Sequence, residues 1–202
     1  MTQKYKNRLF ISKRVHSIED LRNNFALEEN LEIRIGKNKQ TTFSQQTKLL
    51  IVGTAIPAGI PYFFTGKNSN LYLWIDEARH TNIKKFVERI RHSSNENEIE
   101  NCVRNIKNIL SEQKIAFLDI TDAFLTLNGS NEDDKIKNYV IDKEAFEKVQ
   151  GSKNVLIVPI SRYAEAILKE VLLFNEENVR YTHYFRKCKK SEWIELFEST
   201  AN

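Results

Sequence analysis

The sequence predicts an α/β fold, a three-layer α/β/α arrangement around a short, mainly parallel central sheet. Three observations predict it. Continuous apolar runs occur at Lys48-Leu-Leu-Ile-Val-Gly53, Ile115-Ala-Phe-Leu-Asp-Ile and Asn154-Val-Leu-Ile-Val-Pro159; an unbroken apolar run suits a strand covered on both faces. Each run is followed by a loop and then by helical spacing, the alternation of βα units. At 202 residues the chain buries one such core more readily than two, so residues 1–202 are read as one domain.

In chain order, Ser17-Ile-Glu-Asp has an N-cap hydroxyl with acids in the first turn and opens a helix over 17–29 through Leu21, Phe25 and Leu27. Leu31-Glu-Ile-Arg-Ile alternates apolar and polar residues as a short edge strand does, and Gly36-Lys-Asn-Lys is the turn after it. Lys48–Gly53 is the expected central strand. Residues 71–92 and 97–112 carry helical spacing, with Leu71, Trp74, Ile75 and Ala78 in the first and Ile99, Cys102, Val103, Ile106 and Leu110 in the second. A helix over 161–174 follows the third apolar run. Val179-Arg-Tyr-Thr-His-Tyr-Phe is a final strand and loop, and Ser191-Glu-Trp-Ile-Glu-Leu-Phe a capped terminal helix.

Composition excludes several classes. The hydrophobic share is 41% with 29% charged residues, and no stretch approaches the roughly 18 apolar residues of a membrane span. The first residues lack a secretory h-region, so a cytoplasmic, membrane-free protein is expected. Cys102 and Cys188 stand far apart without Cys-x-x-Cys partners, which argues against a disulfide framework, a zinc site or any other metal chemistry. The net charge of +4 is concentrated in acid-free segments. Lys4, Lys6, Arg8, Lys13 and Arg14 form one, and Arg180, Arg186, Lys187, Lys189 and Lys190 the other. Both suit phosphate contact, although taken alone such charge more often marks a solvated face.

Residues 53–74 hold Gly53, Gly59, Gly66, Pro57 and Pro61 together with Tyr62, Phe63, Phe64, Tyr72 and Trp74. Loops rich in glycine and proline are normally polar, so rings concentrated after a buried strand read either as a wall for a flat ligand or as core filling beneath an irregular loop. The strand-to-glycine exit at Val52-Gly53 has neither Gly-x-Gly-x-x-Gly nor Gly-Lys-Ser/Thr, so a dinucleotide or ATP site is unsupported. No Gly-x-Ser-x-Gly elbow points to serine-hydrolase chemistry.

Taken together, Leu50-Ile-Val-Gly-Thr-Ala-Ile-Pro-Ala-Gly and Tyr62-Phe-Phe-Thr-Gly-Lys-Asn-Ser-Asn-Leu-Tyr-Leu-Trp74 resemble the first motif region of the uracil-DNA glycosylase superfamily, in its mismatch-specific and hypoxanthine-type branches. Leu118-Asp-Ile-Thr-Asp-Ala-Phe and Gly129-Ser-Asn-Glu-Asp-Asp-Lys-Ile resemble its later strand and Ser/Asp-x-x-Ile segment, and Val155-Leu-Ile-Val-Pro-Ile-Ser-Arg-Tyr-Ala its strand and helix before the last motif. The likeness spans residues 48–185. It implies a monofunctional DNA glycosylase that needs no cofactor, acts on DNA as a monomer, and hydrolyses the N-glycosidic bond of a flipped-out damaged or modified base. The alternative is a non-catalytic nucleic-acid- or nucleotide-binding module on the same scaffold.

Such chemistry takes a base out of the stack, holds it against a ring and stabilises an oxocarbenium-like sugar. Phe63 or Phe64 would supply the ring, and the backbone of Gly53, Thr54 and Ala55 would receive the base. Asn70 matches the family's Asn-x-aromatic asparagine, which orients water or reads a base edge; the competing role is an N-cap for the helix through Trp74. His183 matches the histidine that donates to the departing base, although a lone histidine is often structural. Asp119 is a candidate to stabilise the sugar or activate water, while Asp122 is expected to cap the next turn. Arg180, Arg186 and Lys187 would hold the DNA backbone. The chain departs from the family at Ala55, where the main branches carry Asp or Asn, which leaves Asn70 as the leading candidate. It departs again at Thr182-His-Tyr-Phe-Arg, which lacks the proline and serine of the final motif. Two cysteines exclude the four-cysteine iron–sulfur branch.

Overall fold

The computed structural model describes residues 13–14, 17–25, 31–35, 41–54, 60–67, 69–127, 136–142, 147, 155–171 and 189–201. Strands β3 (Leu49–Gly53), β4 (Ile115–Asp119) and β7 (Leu156–Pro159) form a three-stranded parallel sheet in the order β4-β3-β7. All five residues of β3 are buried, as its unbroken apolar run requires. Its register sets Gly53 beside Asp119 on one flank and Val52 beside Pro159 on the other.

Alternation along these strands divides the core. Leu49, Ile51, Ile115, Phe117 and Val158 join one buried cluster; Leu50, Val52, Ala116, Leu118 and Ile157 join a second. Over the first face lie α2 (Leu71–Arg79), α3 (Lys84–His92), α4 (Glu96–Glu112) and α6 (Lys190–Ser199). The second face meets α5 (Arg162–Val171) together with Phe124, Tyr139 and Ile141 of a second sheet. The outer edge of β4 is closed by side chains: Thr41 donates to the Phe117 carbonyl at 2.6 Å and Thr42 to that of Ile115 at 3.3 Å, occupying acceptors that an edge strand leaves open.

The second sheet has four strands in the order β1-β6-β5-β2, with β1 at Lys13–Arg14, β2 at Leu31–Ile35, β5 at Thr121–Leu127 and β6 at Ile136–Ile141. β2 is an edge strand, as its alternation predicted. The β5–β6 antiparallel pair was not expected. After Ile120 the chain runs directly into β5 instead of entering a loop and helix, because Thr121-Asp-Ala-Phe-Leu-Thr-Leu and Ile136-Lys-Asn-Tyr-Val-Ile are rich in β-branched and aromatic residues. Asp122 therefore lies within a strand, at a register shift between Thr121 and Ala123, and not at a turn.

The expected helix over 71–92 is two helices. His80 ends α2 in the left-handed region (φ 51°, ψ 46°), and Asn82 follows at φ 58°; histidine and asparagine tolerate that conformation better than most residues. Thr81 fixes the break by donating to Asp76 at 3.0 Å. The first helix, α1, runs over Ile18–Phe25, residues 26–29 of the expected helix lying outside the described residues, and Asp20 N donates to Ser17 Oγ as the capping pattern predicted. The terminal helix begins at Lys190, and Glu192 rather than Ser191 reaches back, accepting from Lys189 N at 3.3 Å. Trp193 stacks on Trp74 at 6.2 Å, which docks α6 on α2. Among the described residues no helix is long and apolar enough to cross a membrane.

Candidate functional site

The C-terminal ends of β4, β3 and β7 lie side by side, and β3 is the point where chain order reverses: the next strand joins one flank and the last joins the other. Ligands of open α/β sheets bind at such a switch point. Backbone bonds knit the mouth together. Ile120 N donates to Gly53 O at 3.0 Å, Ile160 N to Val52 O at 3.0 Å, and Thr121 donates to Thr54 O through both its backbone N–H (3.2 Å) and its hydroxyl (2.6 Å).

Three residues converge on the Gly53 α-carbon. A β-carbon there would lie 2.6 Å from Asp119 Oδ1, 3.5 Å from Phe64 Cζ and 3.8 Å from Ile160 Cδ1. Glycine is needed at this exit because a carboxylate packs against it, which is a steric and not a conformational requirement. Asp119 is only 2% exposed, and burying a carboxylate costs heavily unless its surroundings serve it. Thr54, the residue after Gly53, is buried, and its hydroxyl lies 3.3 Å from that of Ser161, which accepts from Ala164 N at 3.0 Å as the cap of α5.

The neighbouring rings of Phe63 and Phe64 part company. Phe63 is 1% exposed and lies in the core, edge-on to Tyr62 at 5.2 Å and 6.1 Å from Phe117. Its carbonyl accepts from the Tyr72 hydroxyl at 2.8 Å. Burial, and secondarily Tyr62, push that phenol well above its ordinary range, so it remains a donor. Phe64 is partly exposed and adopts φ 54°, a conformation rarely seen for a bulky residue, and this turns its ring towards Gly53, edge-on to Phe117 at 5.3 Å. The core-filling reading of the aromatic segment thus holds for Phe63, whereas Phe64 lies partly exposed against the Gly53 strand exit.

Asn70 stands at the N-cap of α2, where its carbonyl accepts from Trp74 N at 3.2 Å, but its exposed side chain makes no capping bond. Ser69 Oγ accepts from Leu71 N at 3.5 Å. Helix capping therefore does not account for the Asn70 amide.

Sequence reasoning missed Arg91 of α3, which donates to three backbone carbonyls of the 65–69 loop: Thr65 O from Nε at 3.1 Å, and Gly66 O and Ser69 O from Nη2 at 2.8 and 2.6 Å. Burial lowers its proton affinity and Glu88 partly restores it. Ser161 was also missed, although a serine before a helical pattern is a legible cap signal. Ala55, His183, Arg180, Arg186 and Lys187 lie outside the described residues, as does Asp133. Among the described residues no three His, Cys, Asp or Glu side chains gather as a metal site would need.

No protein-family model matches the chain, and no curated protein matches it in sequence. In fold it is similar to the solution NMR structure of a protein from Methanosarcina acetivorans described as a "putative Uracil DNA glycosylase", with a TM-score of 0.50 and 18% identity, over 85% of this chain and 100% of that one. The chain thus has the mixed α/β fold of that glycosylase-like protein, a small parallel sheet flanked by helices.

Proposed function

We propose that this protein is a DNA glycosylase that hydrolyses the N-glycosidic bond of a damaged or modified base held outside the helix. The observation that carries this reading is the convergence of the Asp119 carboxylate, the Gly53 backbone and the Phe64 ring at the mouth of the parallel sheet, in a fold like that of the protein described as a "putative Uracil DNA glycosylase". One domain and one copy of the chain suffice for it.

In this mechanism Phe64 stacks on the extruded base, and the backbone of Gly53, Thr54 and Ala55 receives the base edge. The bond between C1′ and the base nitrogen breaks with its electron pair leaving on the base, whose growing negative charge is met by a hydrogen bond from His183. The Asp119 carboxylate stabilises the cationic sugar from within a poorly solvated mouth, where its charge acts over a low local dielectric. Asn70 orients the water whose oxygen adds to C1′, and the proton lost from that water balances the charge of the released base. Arg180, Arg186 and Lys187 hold the flanking phosphates.

The test is incubation of the protein with single-stranded and duplex DNAs carrying uracil, hypoxanthine, xanthine or bulky modified pyrimidines, followed by mild alkali to reveal abasic sites. One substrate is expected to be cleaved, with the rate reduced at least about 100-fold in Asn70→Ala while DNA binding is kept. Silence across the whole panel with intact DNA binding would replace this reading by the non-catalytic module.

A further inference from the structure

The loop that leads from Phe64 to Asn70 opens in a backbone conformation that a phenylalanine does not favour, at φ 54°. Left-handed backbone at a phenylalanine is unfavourable and persists only where the surroundings impose it. Local bonds contribute: Thr65 donates to Tyr62 O from its hydroxyl at 2.9 Å and from its N–H at 3.3 Å. Ser69 N also donates to Gly66 O at 3.1 Å, and a further restraint comes from outside the loop, through the guanidinium of Arg91.

We propose that Arg91 is a positioning residue of the candidate site, setting the placement of the Phe64 ring and the Asn70 amide by gripping the carbonyls of Thr65, Gly66 and Ser69 that lie between them. The assignment deepens the glycosylase reading and rests on it. Three features carry it. The gripped carbonyls begin one residue after Phe64 and end one residue before Asn70, so one planar group fixes both ends of the segment. A guanidinium offers donors in a rigid fork, whereas lysine offers one compact charge on a flexible stem. Finally, Arg91 follows Ile90, which with Val87 is buried in the first core cluster, so the grip is rooted in packed structure.

Misplacing a reacting group by about 1 Å costs on the order of 100-fold in rate. Arg91→Ala is therefore expected to lower single-turnover base release by about 100-fold with an unchanged dissociation constant for DNA, and Arg91→Lys by an intermediate amount. In the free protein, backbone amide hydrogen exchange over residues 60–70 is expected to quicken in Arg91→Ala, with the α4 amides unaffected. In a Phe64→Ala background the same substitution should cost less, because the part of its effect carried by the ring is already lost while the part carried by Asn70 remains. Should Arg91→Ala fail to fold, Arg91→Lys carries both readouts.

Base release within about twofold of the wild type, or slowed release with exchange over 60–70 unchanged, would overturn the assignment. If the wild-type protein releases no base from any substrate, the glycosylase reading falls. The exchange measurement then decides the grip alone: quickened exchange upholds it and unchanged exchange removes it.

Discussion

The two faces of the parallel sheet are built by alternate residues of the same three strands, yet they are finished differently. The face of Leu49, Ile51 and Phe117 is covered by four helices and filled with Tyr62, Phe63, Tyr72, Trp193 and Phe197. The face of Leu50, Val52 and Leu118 is covered by α5 and by residues of the second sheet, with Phe124, Tyr139 and Tyr163 as its rings. By the same alternation Gly53 and Asp119 fall on the first face and Thr54 on the second. The candidate site thus grows out of the ring-filled face. Large rings with two torsions hold shape better than flexible aliphatics, which is what a strained loop carrying Phe64 needs beneath it.

The most severe way to break this contrast is at Phe117. Its ring lies 6.1 Å from Phe63, 5.3 Å from Phe64 and 5.7 Å from Tyr72, and it is wholly buried. Phe117→Ala is expected to cost about 3–5 kcal/mol, measured by urea denaturation, and to suppress base release in whatever fraction stays folded. Leu118→Ala on the opposite face should cost a comparable amount, about 2–5 kcal/mol, while its folded fraction still releases base. Equal loss of release in both variants would mean that the two faces do not differ in what they support.

A smaller effect isolates the mouth. Gly53→Ala places a methyl 2.6 Å from Asp119 Oδ1, closer than any carbon–oxygen contact allows, so the carboxylate or the strand end must move. The expected loss is about 1–3 kcal/mol by overpacking, again read in urea, with base release falling further than stability does because Asp119 is displaced. An unchanged unfolding midpoint would show that the carboxylate has room to turn aside, and Gly53 would then lose its steric role.

Much of the scaffold was legible and much of the site was not, for separable reasons. The parallel strands were readable because burial on both faces demands unbroken apolar runs, and β3 has five such residues. The break between α2 and α3 was not, since the spacing of Trp74, Ile75 and Ala78 continues through Ile83, Val87 and Ile90, and apolar periodicity carries no information on the sign of φ at His80 or Asn82. The β5–β6 pair was hidden because the strand of Ile115–Asp119 continues into another strand with only Ile120 between them. At the site, Gly53 was noticed as a strand exit, but its reason, the carboxylate of Asp119, comes from strand register. Phe63 and Phe64 are identical in type and adjacent, so only the backbone conformation at Phe64 separates core from mouth. Arg91 left no local trace: a basic residue in the last turn of an amphipathic helix is ordinary, and its partners lie over twenty residues away.

The smallest effects sharpen the comparison most cheaply, through two asparagines at helix starts. Asn95 caps α4 with its side chain, accepting from Asn97 N at 3.0 Å and Glu98 N at 3.3 Å. Asn70 occupies the equivalent position of α2 without making any such bond. Removing the first should cost about 1 kcal/mol, the usual value of a working cap, whereas removing the second should change stability by less than about 0.5 kcal/mol, as for a surface substitution away from structural features. Paired urea titrations of Asn95→Ala and Asn70→Ala read the difference directly. A loss at Asn70 as large as that at Asn95 would return its amide to the ordinary work of capping and remove it from the candidate site. Near-neutral stability would leave the structural roles of the amide exhausted, so that any loss of base release in the same variant would be assigned to chemistry and not to the helix.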